Sequence, residues 1–339
     1  MSPFDYRRAT SVADAVAHLG SHGAFLAGGT NLVDHLRLGI STPQRVMDIS
    51  RLPLTDITRS DDGVLHIGAL VRNSDMAAHP LVRQHVPLVA QALLAGASGQ
   101  LRNMATTGGN LLQRTRCVYF QDSTTPCNKR TAGSGCSAKE GFGRYNALFG
   151  ASGSCVAVHP SDLCVALAAL DVTVVIEGRN GERRLPYAEL HRLPGDTPEH
   201  DTHLQHGEMI TAVEIAPLPS AFQTRYRKVR DRASYAFALV SVAAALDVRD
   251  GLVHGVRLAL GGASHKPHRA TRAESLLLGG PATHAAFLAA ADAELAAAQP
   301  GADNAFKVLM LRNTIAAVLG ELAQPNQGIS QGGSQEVSA

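Results

Sequence analysis

Five cysteines are the first residues whose type and placing suggest chemistry. Cys117, Cys127, Cys136 and Cys155 run as C-x9-C-x8-C-x18-C, and Cys164 follows in the apolar stretch LCVALAAL; the rest of the 339-residue chain has none. An odd count in a long chain argues against a disulfide framework. Four thiols in and beside one loop argue for a metal. Structural zinc sites usually carry a C-x2–4-C knuckle, and none is present. The closely spaced runs of common ferredoxins are absent too. Thiolate ligation still selects a soft site, zinc or an iron–sulfur cluster, with disulfides or free thiols as the remaining readings. Cys164 reads as a small buried hydrophobe.

Two glycine-rich segments form the second feature. Leu26-Ala27-Gly28-Gly29-Thr30-Asn31-Leu32 brings a strand into a double glycine and then into a helix start. Glycine lets backbone approach a ligand closely, and the N–H groups of a helix start favour a phosphate. The pattern is neither GxGxxG nor GxxxxGK[ST], so the two best-known nucleotide motifs do not apply; an ordinary strand–turn–helix corner is the plain alternative. Residues 97–111, ASGQLRNMATTGGNL, end in another double glycine with hydroxyl and amide neighbours. Two such loops can close on one anionic ligand from opposite sides. No Ser-His-Asp or paired-carboxylate arrangement stands out, and the 15 histidines are scattered.

The elements that must position these residues follow from periodicity and turn chemistry. Helices are expected at Thr10–Gly20 (capped by Thr10 or Ser11), Asn31–Leu38, Leu81–Leu94 with a break at Pro87, and Ser161–Leu170. Strands are expected at Ala24–Leu26, Arg45–Ile49, Val64–Gly68, Val172–Glu177, Met209–Ile215 and Gln223–Val229. Tyr235–Val248 and Leu252–Leu260 read as two strands about the turn Arg249-Asp250-Gly251. Helices near Thr271–Leu278, Thr283–Ala298 and Asn304–Leu322 close the fold. Residues 113–150 show neither period; a loop that long is uncommon in a compact domain unless it is functional or disordered, and a metal staple would replace its missing apolar core. Residues 325–339, rich in Gly, Ser and Gln, read as a disordered tail.

Composition sets the outer bounds. At 339 residues, roughly two to three domains are expected. Lys+Arg 31 against Asp+Glu 29 leaves +2, so no strong field draws the chain to nucleic acid or anionic lipid. No apolar run reaches the roughly 18 residues of a membrane span, so no membrane insertion is expected. MSPFDYRRATSV has no apolar segment of the signal type and no twin arginine ahead of one. The expected compartment is cytoplasmic, or periplasmic if the chain is co-exported with a partner that carries a signal.

Taken in order, LAGGTNL at 26–32, LRNMATTGGNL at 101–111 and HPSD at 159–162 resemble the FAD-binding medium subunit of the molybdenum hydroxylases, the xanthine dehydrogenase and aldehyde oxidoreductase family. The family patterns read LAGGTDL and IRNxATxGGNL. The likeness runs to about residue 324, with YRKVR at 226–230 and the strand–strand–helix end resembling the family's C-terminal flavoprotein domain. Most medium subunits lack the cysteine loop; its presence resembles the bacterial aldehyde oxidoreductases whose FAD subunit also carries a 4Fe-4S cluster.

The resemblance implies an α+β fold. It comprises a two-lobed vanillyl-alcohol-oxidase-like FAD domain over 1–219 (lobes 1–56 and 57–219, cysteine loop 113–155) and a CO-dehydrogenase-flavoprotein-like domain over 220–324. It implies FAD contacts at Leu26, Ala27, Gly28, Gly29, Thr30, Asn31, Leu32 and Val33, with Asn31 where many members have Asp. Losing that carboxylate removes a negative charge from a pyrophosphate site. It further implies contacts at Thr106, Gly108, Gly109, Asn110 and Asp162 and, more loosely, at Ile210 and Lys228. Plain alternatives are a helix cap for Asp162 and a solvated charge for Lys228. Cys117, Cys127, Cys136 and Cys155 would hold the 4Fe-4S cluster. The implied partners are a small subunit with two 2Fe-2S clusters and a large molybdenum-cofactor subunit, in a heterotrimer. Electrons would pass from molybdenum through the 2Fe-2S clusters to FAD and on to an external acceptor. The competing reading is a zinc-stapled scaffold with no redox role.

Overall fold

The computed structural model describes residues 1–324; the expected disordered tail at 325–339 lies outside them. Three sheets organise the described residues.

The first is small and parallel. Strands β1 (Asp5–Arg8), β2 (Gly23–Leu26) and β3 (Arg45–Asp48) lie in the order β1-β3-β2. Helices Val12–His18 and Leu32–Arg37 make the crossovers that parallel pairing requires. Ser11 caps the first of these, its Oγ accepting from Asp14 N at 3.0 Å. β1 escaped sequence reading because all four of its residues are exposed. It is held instead by Asp48 of β3, which accepts from Tyr6 Oη at 2.5 Å and Arg8 Nε at 3.1 Å.

The second sheet is antiparallel: β4 (Ile57–Arg59), β5 (Leu65–Gly68), β6 (Val172–Gly178), β7 (Gly181–Pro186) and β8 (Met209–Ile215), in the order β4-β5-β8-β6-β7. Between β5 and β6 the chain leaves the sheet. That excursion carries the helices Pro80–His85 and Pro87–Ala95, the second glycine segment, the cysteine loop and the helix Asp162–Ala168. Pro87 does break the expected long helix, because proline lacks the N–H that would continue the ladder.

The third sheet holds β9 (Gln223–Val229), β10 (Val240–Arg249), β11 (Leu252–Gly261) and β12 (His268–Arg269), ordered β12-β11-β10-β9. Helices Thr271–Leu277, His284–Leu295 and Phe306–Leu322 cover one face. β10 is buried on both faces, and its residues alternate between two cores. Val242, Ala244 and Leu246 face the C-terminal helices, whereas Ala243, with Ala259 of β11 and Tyr226 of β9, joins the core around helix Asp162–Ala168.

Two sequence expectations need correction. The strand expected from Tyr235 begins at Val240; Tyr235 has φ of 50°, a left-handed conformation incompatible with an extended ladder. The aperiodic stretch 113–150 contains one helical turn, Val118–Gln121, whose Phe120 is fully buried. Four residues are too few to show a period.

Candidate flavin site and cysteine cavity

The two glycine segments meet. A Cβ on Gly28 would lie 1.8 Å from the carbonyl oxygen of Met104, so only glycine permits this approach. Gly29 follows with φ of 75°, turning the chain from β2 into helix Leu32–Arg37, whose first bonds are Val33 N to Gly29 O and His35 N to Asn31 O. Leu26, Ala27, Gly28, Gly29, Thr30, Asn31 and Leu32 are half-buried and Val33 is exposed. In the second segment Thr106 caps a short helix, Thr107–Leu111, and its Oγ1 accepts from Gly109 N. Gly108 lies against Ala69, and Ile210 of β8 comes up behind it.

Asp162 and Lys228 come together from distant points of the chain. Lys228 Nζ donates to Asp162 Oδ2 at 2.7 Å, with side-chain exposures of 4% and 9%. Tyr226 Oη donates to Asp162 Oδ1 at 2.6 Å. Lys228 is therefore a buried paired charge, and the alternative of a solvated strand charge is excluded. The helix cap beside them is Ser161, which accepts from Cys164 N at 3.0 Å. Ser161 Oγ also donates to Asn110 Oδ1 at 2.6 Å, tying the HPSD segment to the second glycine segment.

Asn31 links the first glycine segment to the cysteine loop: its Oδ1 accepts from Arg114 N at 3.1 Å. Arg114 Nε in turn pairs with Asp201 Oδ2 at 2.6 Å, and Asp201 also takes Lys129 Nζ. Partial burial raises the half-buried Asp201 carboxyl, but these two cations outweigh it and hold it down at about 2. Arg114, Lys129, Asp201, Tyr226 and Ser161 were all missed as site residues. Nothing in the spacing of residues 114, 129 and 201 marks them as neighbours.

The four loop cysteines converge. Cys117, Cys127, Cys136 and Cys155 line one small cavity, and Cys127 faces Cys136 across an isolated antiparallel bridge. All are free thiols. Burial pushes the Cys155 thiol up to about 11 and also raises Cys117. Ligation needs the thiolate, so a metal or cluster held here would have to displace these protons. Cys164 is elsewhere, fully buried in the core as expected.

His159, Cys164 and His191 bring their ligand atoms within 4.8 Å of one another. One nitrogen of each ring has another partner, while His159 Nε2 is buried with no hydrogen-bond partner. His191 Nε2 lies 2.9 Å from Leu111 O, and His159 Nδ1 accepts from Ser161 N, which fixes the His159 proton on Nε2. The grouping reads as packed neutral rings. A large cleft lined by Phe149, Tyr187, Leu193, Lys266 and Arg269 contains none of the expected flavin residues.

A two-domain flavin fold with paired glycine segments defines a class, and the sequence relationships agree. Residues 2–219 match the FAD binding domain in molybdopterin dehydrogenase, and residues 224–322 match the CO dehydrogenase flavoprotein C-terminal domain. The chain belongs to the FAD-binding medium subunits of the molybdenum hydroxylases, and is thus a flavin-binding oxidoreductase subunit. It is 49% identical over 326 residues to the aldehyde oxidoreductase FAD-binding subunit PaoB of Escherichia coli, spanning 95% of this chain and 98% of that protein. It is 28% identical to the glyceraldehyde dehydrogenase medium chain of Sulfolobus acidocaldarius over 81% of each. Carbon monoxide dehydrogenase of Hydrogenophaga pseudoflava superposes with a TM-score of 0.75 at 25% identity, over 95% of this chain and 98% of that one. Among the described residues, no helix is long and apolar enough to cross a membrane.

Proposed function

We propose that this chain is the FAD- and 4Fe-4S-bearing electron-transfer subunit of a heterotrimeric molybdenum aldehyde oxidoreductase. One observation carries the reading: a cavity walled by four free thiols stands one hydrogen-bonded chain, Lys129–Asp201–Arg114–Asn31, away from the glycine segment. The aldehyde substrate class rests on the likeness to the Escherichia coli aldehyde oxidoreductase subunit. The partners would be a small 2Fe-2S subunit and a large molybdenum-cofactor subunit.

In this reading Gly28, Gly29, Thr30 and Asn31 offer backbone N–H and side-chain groups to the FAD pyrophosphate, with Leu26, Ala27, Leu32 and Val33 framing them. Thr106, Gly108, Gly109 and Asn110 supply the facing wall, backed by Ile210. The pair Asp162–Lys228 keeps that wall in place. FAD, when bound, accepts electrons singly and releases them one or two at a time. The protein's own part is to hold the cofactor and exclude water.

Cys117, Cys127, Cys136 and Cys155 would hold the cluster, which stores one electron at a time. Their spacing lacks the C-x2–4-C knuckle usual in structural zinc sites, which favours a cluster over a single zinc. The proposed division is a flavin domain over 1–219, in lobes 1–56 and 57–219, and a second domain over 220–324.

Anaerobic purification followed by a visible spectrum before and after dithionite tests this. Flavin bands with a broad shoulder that bleaches are expected, with about four irons per chain. Cys127→Ser is expected to remove the shoulder and leave the flavin bands. A colourless protein that takes up no added FAD would sink the proposal.

A further inference from the structure

Among the described residues, Lys129 is the one charged residue that lines the four-cysteine cavity. Its ammonium is 1% exposed, with no solvent to screen it. It donates to Pro198 O at 2.8 Å and to Asp201 Oδ1. An ammonium carries three N–H donors, and these two partners commit two of them. Two other cations of the loop stand differently. Arg130 donates to the carbonyls of Tyr119, Phe120 and Thr125 and thus braces the loop. Arg114 is paired with Asp201 outside the cavity lining. Asp201 is shared between Arg114 and Lys129, so the trio keeps one unit of positive charge.

We propose that Lys129 is a positioning residue that sets the reduction potential of the cluster held by the four cysteines. The proposal rests on the cluster reading above. One electron added to a tetrathiolate-held cluster makes the cage one unit more negative, with no bond broken and no proton moved. A fixed buried ammonium on a residue that lines the cavity favours that extra charge. Asp201, one step behind Lys129, acts with the opposite sign. The protein therefore holds two side chains, 129 and 201, whose removal should move the potential in opposite directions.

The experiment is a dye-mediated redox titration of the full chain, purified anaerobically, with dithionite supplying the electron and the reduced cluster followed by EPR. Iron content and thermal midpoint are recorded on the same samples. Lys129→Met is expected to make reduction about tenfold less favourable, which for one electron is about 59 mV to lower potential. Asp201 keeps Arg114 in that variant, so no charge is stranded. Lys129→Arg is expected to hold the wild-type potential. Asp201→Asn is expected to shift it upward. A merely structural ion pair would give both uncharged variants the same outcome, loss of iron and of thermal midpoint. An unchanged potential in Lys129→Met with iron retained overturns the proposal. So does loss of iron from Lys129→Met and Lys129→Arg alike, which would make Lys129 a strut. Wild-type protein that binds flavin but no iron would overturn the cluster reading itself, and is told apart because it appears before any variant is made.

Discussion

At the scale of single residues, the decisive position is Gly28. Its missing side chain lets two loops from different parts of the chain touch. Gly28→Val places a branched side chain where Met104 O already stands, and the loops must separate. FAD retention through desalting, read as flavin absorbance per chain, is expected to fall at least about tenfold while the circular dichroism of the sheets is kept. Unchanged flavin content would show that the two segments do not act together. The glycine pairs were legible in the sequence because their composition is extreme. Asp162 was legible only through the HPSD resemblance, and its true partners were not. Tyr226 and Lys228 lie more than 60 positions downstream, and their meeting with Asp162 depends on β9 packing beside helix Asp162–Ala168. No local pattern encodes such a meeting.

At the scale of elements, most helices and strands follow from period and punctuation, and two of the misses show why others do not. β1 has no buried residue, and the turn Val118–Gln121 is shorter than any usable period. Both are held by contacts from distant sequence. The helix Leu32–Arg37 and the loops behind the second glycine segment carry another feature that periodicity does not reveal, three buried histidines. Burial, first among the causes, takes His35, His191 and His265 down to about 4. The folded protein thus refuses protons that the unfolded chain, with histidines near 6.5, accepts. The stability these rings allow is full above the unfolded value of about 6.5 and is lost as pH falls through it toward 4. Between pH 7.5 and 5.5 each ring costs about one and a third kcal/mol, or about 4 kcal/mol for the three together. Urea unfolding at the two pH values checks this, and a midpoint that rises on acidification would contradict it.

At the scale of the whole molecule, the third sheet belongs to two cores at once. The residues of β10 alternate between them, and Gly261 of β11 leaves room for Val165, whose Cγ2 would stand 2.4 Å from an added Cβ. Ala243→Leu is expected to overpack this seam and lower stability by about 1–3 kcal/mol, with flavin released in the same unfolding transition. Ala285→Leu, on an exposed helix face, is the control and is expected to change neither. Two transitions in Ala243→Leu, with flavin tied to only one, would show that the seam does not unite the domains. Sequence similarity divides the chain between residues 219 and 224. The apolar contacts do not respect that division, because the floor under helix Asp162–Ala168 is supplied by β10 and β11. A gene cut at that boundary would therefore encode two fragments with matching greasy wounds, able to heal only by finding each other.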